Sequence, residues 1–125
     1  SKKHLVLAIV QKSDDLHVGN ISLQNINYIN RSAEFAVILG EKSCYGKGYM
    51  KDACSLVIKH GFLEMNLHRI YGGTLSTNIL SRILINYLGM KEEGCRRDAA
   101  YKNGKFVDAI EYSILKKEFL SKFNL

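Results

Sequence analysis

The chain contains no proline and no tryptophan, and it has only three cysteines among 125 residues. Without proline, and without a serine-rich stretch, no segment reads as an interdomain linker. Cys44, Cys54 and Cys95 are odd in number and widely spaced. They form no Cys-x-x-Cys pair and have no histidine at zinc-finger distance, which argues against a disulfide scaffold and a structural zinc site. Such usage suits a reducing cytosol. Also missing is any apolar run near the roughly 20 residues that a bilayer crossing needs. The run Leu5 to Val10 is too short for the apolar region of a signal peptide with a cleavage site behind it. These absences speak against secretion and membrane insertion, and the expected location is cytoplasmic.

Acidic residues are outnumbered: 12 Asp+Glu stand against 18 Lys+Arg, a net charge of +6. The surface should therefore attract anions, whether nucleic acid, an anionic membrane face or a phosphorylated small molecule. Charge alone does not choose among them. Apolar residues make up 46% and charged residues 24%, an ordinary globular mixture. At this length we expect a single domain over residues 1–125 with one core. The first residue is Ser1 rather than Met, so the chain reads as a processed or trimmed piece of something longer.

Apolar periodicity orders the elements. His4 to Gln11 is a nearly continuous apolar run of strand length. Lys12-Ser-Asp-Asp15 is turn chemistry, and His17 to Leu23 reads as the returning strand of a hairpin. A polar stretch leads into a third run, Ala33 to Leu39. After a glycine-rich loop, Met50, Ala53, Cys54, Val57, Ile58 and Phe62 recur with helical spacing, which predicts a helix from about Gly48 to Leu63. Arg69 to Leu75 follows as a strand in which Gly72-Gly73 points to a bulge or a close backbone neighbour. Asn78 to Tyr87 predicts a second helix with Ile79 and Ile83 on its apolar row and Leu80, Leu84 and Tyr87 beside them, Thr77 or Asn78 as N-cap and Gly89 at its C-terminal end. Cys95 to Tyr101 and Phe106 to Leu115 flank Asn103-Gly104, a strong hairpin signal. The tail from Lys116 is short, basic and amphipathic, read as a solvated helix face. The order β-β-β-α-β-α-β-β gives a mixed α/β domain.

The segment richest in chemistry is Cys44-Tyr-Gly-Lys-Gly-Tyr49, between a strand and a helix start. A helix N-terminus presents unpaired N–H groups and a positive dipole end, and glycines let the backbone curl around phosphate oxygens. Lys47 and Lys51 add charge nearby. The dinucleotide fingerprint would need a glycine where Lys51 stands, and a Walker loop would need Ser or Thr where Gly48 stands. A bare turn with no ligand is the competing reading of this loop.

Read together with Arg31-Ser-Ala-Glu34, Leu67-His-Arg-Ile70, Asn78-x-x-Ser81, Leu88-Gly-Met90, Glu93-Gly94 and Asp108, the loop resembles that of the GNAT superfamily of acetyl-CoA-dependent N-acetyltransferases. Within it the chain looks most like the RimJ/RimL-like, ribosomal-protein-acetyltransferase branch, over about residues 5 to 115. The resemblance implies a mixed, mostly antiparallel twisted sheet with flanking helices, α+β in class, here without the family's opening strand and helices. Three departures stand out. Ser43 occupies a position where the family usually has Gln or Arg, Met90 replaces a Phe, and Ile85 stands where many members carry a proton-donating Tyr. Tyr87 cannot substitute directly, because two residues turn a helix by about 200°.

The resemblance further implies acetyl transfer from acetyl-CoA, as co-substrate and without a metal, directly to a primary amine. Gly46, Lys47 and Gly48, with Ser43, Tyr45 and Tyr49, would hold the pyrophosphate, and the pantetheine arm would lie along Val37, Ile38 and Leu39 as an added strand would. Glu34 is the candidate base and Ser81 the candidate proton donor, with Asn78 positioning the cofactor. The bland readings are a Glu34 paired with Arg31, an Asn78 that only caps, and an exposed helical Ser81. An α-amine, with a pKa of about 7.7–8.0, is an easier acceptor than a lysine near 10.4, whose neutral fraction is about 300-fold smaller. The expected acceptor is a protein N-terminal amine, with the amine of a nucleotide-linked amino sugar as the alternative. The four histidines read as surface or strand residues, and Cys44 carries no sign of activation.

Two other classes compete. A non-catalytic CoA-binding module would explain Ser43, Ile85 and the missing front portion. A nucleic-acid binder would interleave aromatics with basic residues, which this chain does not do, so neither nucleic acid nor membrane is an expected partner. An open sheet edge makes a homodimer reasonable. Gly48→Val should abolish acetyl-CoA binding by placing a branched side chain where phosphate must approach. Undiminished affinity in calorimetry would remove the loop from the site.

Overall fold

Short runs of alternating or continuous apolar residues become six strands, and two amphipathic stretches and the tail become helices. The computed structural model describes residues 2–11, 16–39 and 49–125, with side chains at 19–38 and 50–125. The elements are β1 (Lys2–Gln11), β2 (Leu16–Asn27), β3 (Ser32–Leu39), α1 (Tyr49–Leu63), β4 (Arg69–Leu75), α2 (Ile79–Leu88), β5 (Lys91–Lys102), β6 (Lys105–Leu115) and α3 (Lys116–Lys122). The strands form one sheet in the order β1-β2-β3-β4-β6-β5. All neighbours are antiparallel except β3 and β4. That exception follows from the chain, since a strand–helix–strand crossover through α1 returns in the same direction.

The expected α/β order is present with two extensions. The stretch read as polar connection after Leu23 continues β2 to Asn27, and β5 begins at Lys91, before Cys95. At the β5–β6 hairpin, Asn103 and Gly104 both take positive φ, 51° and 79°. That is the combination a tight primed turn requires.

One face of the sheet is dry. Ala33 and Phe35 of β3, Ile21 and Leu23 of β2, and Ile70 and Ile114 of β4 and β6 are buried, with Glu34 and Ala36 between them only partly so. This is the period-two alternation of a sheet covered on one side. Helix α1 supplies Cys54, Val57, Ile58 and Phe62 to the same cluster, with Met50 and Ala53 packed on its margin, so its apolar row is the expected one. Helix α2 departs from expectation. Ile79 and Ile83 are 70% and 50% exposed, and the buried pair is Leu84 and Leu88, four residues apart. The tail is also not a merely solvated face: Phe119 of α3 is buried and its ring lies 5.6 Å from that of Phe62.

Strand β5 lies at one edge and is almost entirely exposed. It carries charges along its length and breaks register between Glu92 and Gly94 and between Arg96 and Ala100, with Asp98 at φ 50°. Charge and bulges discourage edge-to-edge pairing. Among the described residues three ion pairs reach this strand, one of them a loose contact of Arg96 with Glu111 of β6 at 3.8 Å. Glu93 accepts a bidentate pair from Arg69 of β4 at 2.7 and 2.8 Å, reaching across β6, and Lys91 pairs with Glu118 of α3. The Arg69 guanidinium hydrogen bonds, opposed by burial and aided by Ser113, bring the Glu93 carboxyl from its ordinary 4.5 down to about 2. A carboxyl that titrates lower when folded stabilises the fold fully above its unfolded value and loses that contribution as pH falls through its folded value. Both side chains are more than a third exposed, so the pair contributes about 0.5–1 kcal/mol at neutral pH. Glu93→Gln should remove that amount in urea denaturation near pH 6, and the difference from the parent should shrink below about pH 4 and disappear as pH falls through about 2.

Candidate functional site

The parallel pairing of β3 and β4 lasts three residues, Ser32 to Glu34 against Arg69 to Tyr71, and then stops. Both strands continue with their other partners. Strand β3 stays on β2 until Leu39 faces Gly19, and β4 stays on β6 until Leu75 faces Ala109. The sheet therefore opens into a V beyond Glu34 and Tyr71. Gly72 sits at its closed end: a Cβ there would lie 2.7 Å from the Phe35 carbonyl oxygen and 2.9 Å from the Tyr112 hydroxyl. Only glycine allows that approach, which is the close backbone neighbour that Gly72-Gly73 suggested.

Within the V lies a cleft of about 110 Å³. Phe35, Ala36 and Val37 form one wall, Gly73 and Tyr112 another, and Ser81, Leu84 and Ile85 of α2 close the side. Beyond Glu34, among the described residues, no β4 backbone pairs with the facing edge of β3. An extended chain of amides fits such an edge, because it supplies the donors and acceptors that a further strand would.

Of the residues expected at the site, the structure brings Val37 and Ser81 to this cleft, with Ile85 beside Ser81. Ile38 directs its side chain outward, 68% exposed, so only its backbone can serve a partner along β3. Leu39 ends β3 and Tyr49 begins α1. Ser43, Cys44, Tyr45, Gly46, Lys47 and Gly48 lie outside the described residues. Glu34 stands at the pair that closes the V, half-buried, and its Oε1 accepts a hydrogen bond from Asn25 Nδ2 at 2.8 Å. It does not pair with Arg31, whose guanidinium donates to the Asn66 carbonyl and side chain at 2.8 and 3.2 Å.

Asn78 is an N-cap: its Oδ1 accepts from Ser81 N–H at 3.1 Å, and Gly89 ends the helix in the left-handed conformation at φ 80°. Tyr87 turns away from the cleft, as its spacing from Ile85 requires. Its ring lies 5.9 Å from that of Phe123, and the Lys51 ammonium is 5.2 Å from its centroid. The Cys54 thiol is pushed up to about 12 by burial and is inert at neutral pH. His60 and His68 are exposed, and the backbone of His68 bonds Arg31 and Lys116 at the entry to β4.

Phe35, Ala36, Gly73, Leu84 and above all Tyr112 line the cleft, and none of them is among the site residues expected from the sequence. Tyr112 is 5% exposed and is buried on the helix-covered face opposite Gly72. Its phenol is pushed up to about 12, chiefly by burial and then by the neighbouring Cys54 and Glu34. The only local signal was its parity with Ile114 on the last strand.

The description "Acetyltransferase (GNAT) domain" matches residues 1–91. The Bacillus subtilis protein named "Putative ribosomal N-acetyltransferase YdaF" is 38% identical over 101 residues, 81% of this chain and 55% of that protein. The spermidine N(1)-acetyltransferase of Vibrio cholerae is 30% identical over 114 residues, 91% of this chain and 65% of that one. The chain thus spans 55% and 65% of the length of these two relatives, less than two thirds of each. The dodecameric structure of the Vibrio cholerae spermidine N-acetyltransferase superposes with a TM-score of 0.84 at 28% identity, covering 95% of this chain and 68% of that chain. Replacing the cap, Asn78→Ala, should cost about 1 kcal/mol in thermal or urea unfolding, and Asn78→Ser should recover most of it.

Proposed function

The chain belongs to the GNAT acetyltransferase family, and from that premise we propose that it transfers an acetyl group from acetyl-CoA to a primary amine. The observation that carries this reading is the divergence of β3 from β4 beyond Glu34 and Tyr71, which leaves one edge of β3 facing an open cleft. The backbone of Val37 to Leu39 pairs with the amides of the pantetheine arm, as an added strand would. Backbone N–H groups of the same segment face the acetyl oxygen and stabilise negative charge there. Bound in this way, acetyl-CoA supplies an activated acyl group. The loop from Ser43 to Gly48, with Tyr49 at the α1 N-terminus, receives the pyrophosphate. Asn78 acts by fixing the first turn of α2, which sets Ser81 on the cleft wall.

Glu34 receives the amine proton, directly or through one water, at the closed end of the V. Among the described residues, Glu34 is held by the neutral Asn25 amide and no cation is paired with it. Its negative charge is therefore available to a protonated amine that approaches.

For the acceptor we take the N-terminal amine of a protein, as in the RimJ/RimL-like branch. Its ordinary pKa leaves a sizeable neutral fraction near pH 7, and the chain's +6 charge suits an acceptor carried on an anionic body such as a ribosome. A polyamine is the second reading, favoured by the similarity to spermidine acetyltransferases. Self-association is proposed on the open outer edge of β1. Calorimetric titration with acetyl-CoA, followed by thiol release against peptide N-termini, polyamines and amino-sugar nucleotides, tests the whole. Binding with turnover on peptides is expected, turnover on polyamines alone would transfer the assignment, and no binding would end it. Glu34→Gln should lower turnover by about 100-fold or more while acetyl-CoA affinity is unchanged.

A further inference from the structure

Resting on the acetyl-transfer reading, we propose that the Tyr112 phenol is the group that returns a proton to the departing CoA sulfur, the place left without a tyrosine at Ile85. The geometry begins with Gly72. Its missing side chain leaves room for the Tyr112 hydroxyl, 2.9 Å from where a Cβ would stand, at the point where β3 and β4 separate. The phenol is thereby set in the wall of the same cleft that Val37, Ser81 and Ile85 line. Tyr112 and Ile85 come from different elements, β6 and α2, yet they border one small volume. The helix presents Ile85 to this volume and the sheet presents the phenol of Tyr112.

Ser81 is the other hydroxyl on this wall. An alcohol is a much weaker acid than a phenol, so Ser81 is suited to donating a hydrogen bond that orients the sulfur. Burial keeps the phenol fully protonated at neutral pH, so Tyr112 enters each cycle holding the proton it must give. The bookkeeping of atoms closes. The amine nitrogen bonds to the acetyl carbon and its proton leaves to Glu34 or water. The carbon–sulfur bond breaks with its electron pair on sulfur, and the phenol proton passes to that sulfur. The phenolate then recovers a proton from solvent, so the net transfer is from the amine to the thiol.

The aromatic ring packs in the core, so the informative variant is Tyr112→Phe, which keeps the ring and removes only the hydroxyl. The first readout needs no acceptor. The thiol of bound CoA is titrated by its ultraviolet thiolate absorbance, with desulfo-CoA as the reference that cancels tyrosine signals. A hydrogen bond to the thiolate lowers the bound thiol's pKa, so Tyr112→Phe should raise it by about one unit, a tenfold loss of acidity. Ser81→Ala should move it less. In thiol-release assays Tyr112→Phe should reduce turnover by about 10- to 100-fold, with acetyl-CoA affinity within about twofold of the parent. An unchanged bound-thiol pKa, or equal turnover, would overturn the assignment. A lower melting temperature with an unchanged bound-thiol pKa would also overturn it and mark Tyr112 as packing alone. If the parent chain binds no CoA, the acetyl-transfer reading itself has failed; if it binds CoA and Tyr112→Phe titrates identically, only the role of Tyr112 has.

Discussion

The site depends on one place where two backbones nearly touch. The Phe35 carbonyl lies 2.7 Å from the position of a Gly72 Cβ, and on either side of that point the sheet behaves differently. Below it, β3 and β4 pair in parallel for three residues. Above it, each strand stays with its antiparallel partner, β2 for one and β6 for the other. Parallel pairing is slightly less stable per residue, so when the two halves of the sheet compete for β3 and β4 it is the parallel ladder that yields. The V results from this competition, and Gly72 fixes where it begins. A side chain at that position would meet backbone on one side and the Tyr112 phenol on the other.

Much of this architecture is written locally and could be read from the sequence. Period-two and helical patterns located the strands and both main helices. Asn103-Gly104 marked its hairpin, and Asn78 and Gly89 marked the ends of α2. The two-residue step from Ile85 to Tyr87 turns Tyr87 away from the cleft, where its ring meets that of Phe123 edge-on. What could not be read was the order of strands in space. β6 inserts between β4 and β5, so Tyr112 faces Gly72 across 40 positions of sequence. No local pattern encodes that meeting. The buried row of α2 is left open by the sequence for a related reason. Ile79 and Ile83 are as apolar as Leu84 and Leu88, and only the position of the sheet decides which pair it covers.

The glycine-rich segment 40–48 carries anion-binding chemistry in its sequence. It connects the end of β3, the strand that walls the cleft, to the first turn of α1. Helix α1 is anchored along its length by Cys54, Ile58 and Phe62, all fully buried. In the proposed reading an extended ligand lies along the open edge of β3 with its anionic end toward the N-terminus of α1.

The carboxylates show how the fold separates structural work from chemistry. Glu93 is gripped by Arg69 and brought down to about 2, and Glu118 is held by Lys91 and the Leu115 N–H, so both are committed to fastening β5 and α3. Glu34 is fastened differently, by the neutral amide of Asn25, itself held at φ 52° in β2. An amide orients a carboxylate without cancelling its charge, whereas a guanidinium does both. In the proposed reaction that difference decides the division of labour. A carboxylate paired with Arg31 would have offered an incoming ammonium little net attraction, but Arg31 is instead turned to Asn66 on the loop before β4. In that proposal the oriented, uncancelled charge of Glu34, where β3 and β4 stop pairing, removes the proton from nitrogen, and the hydroxyls of Tyr112 and Ser81 on the cleft wall serve the sulfur.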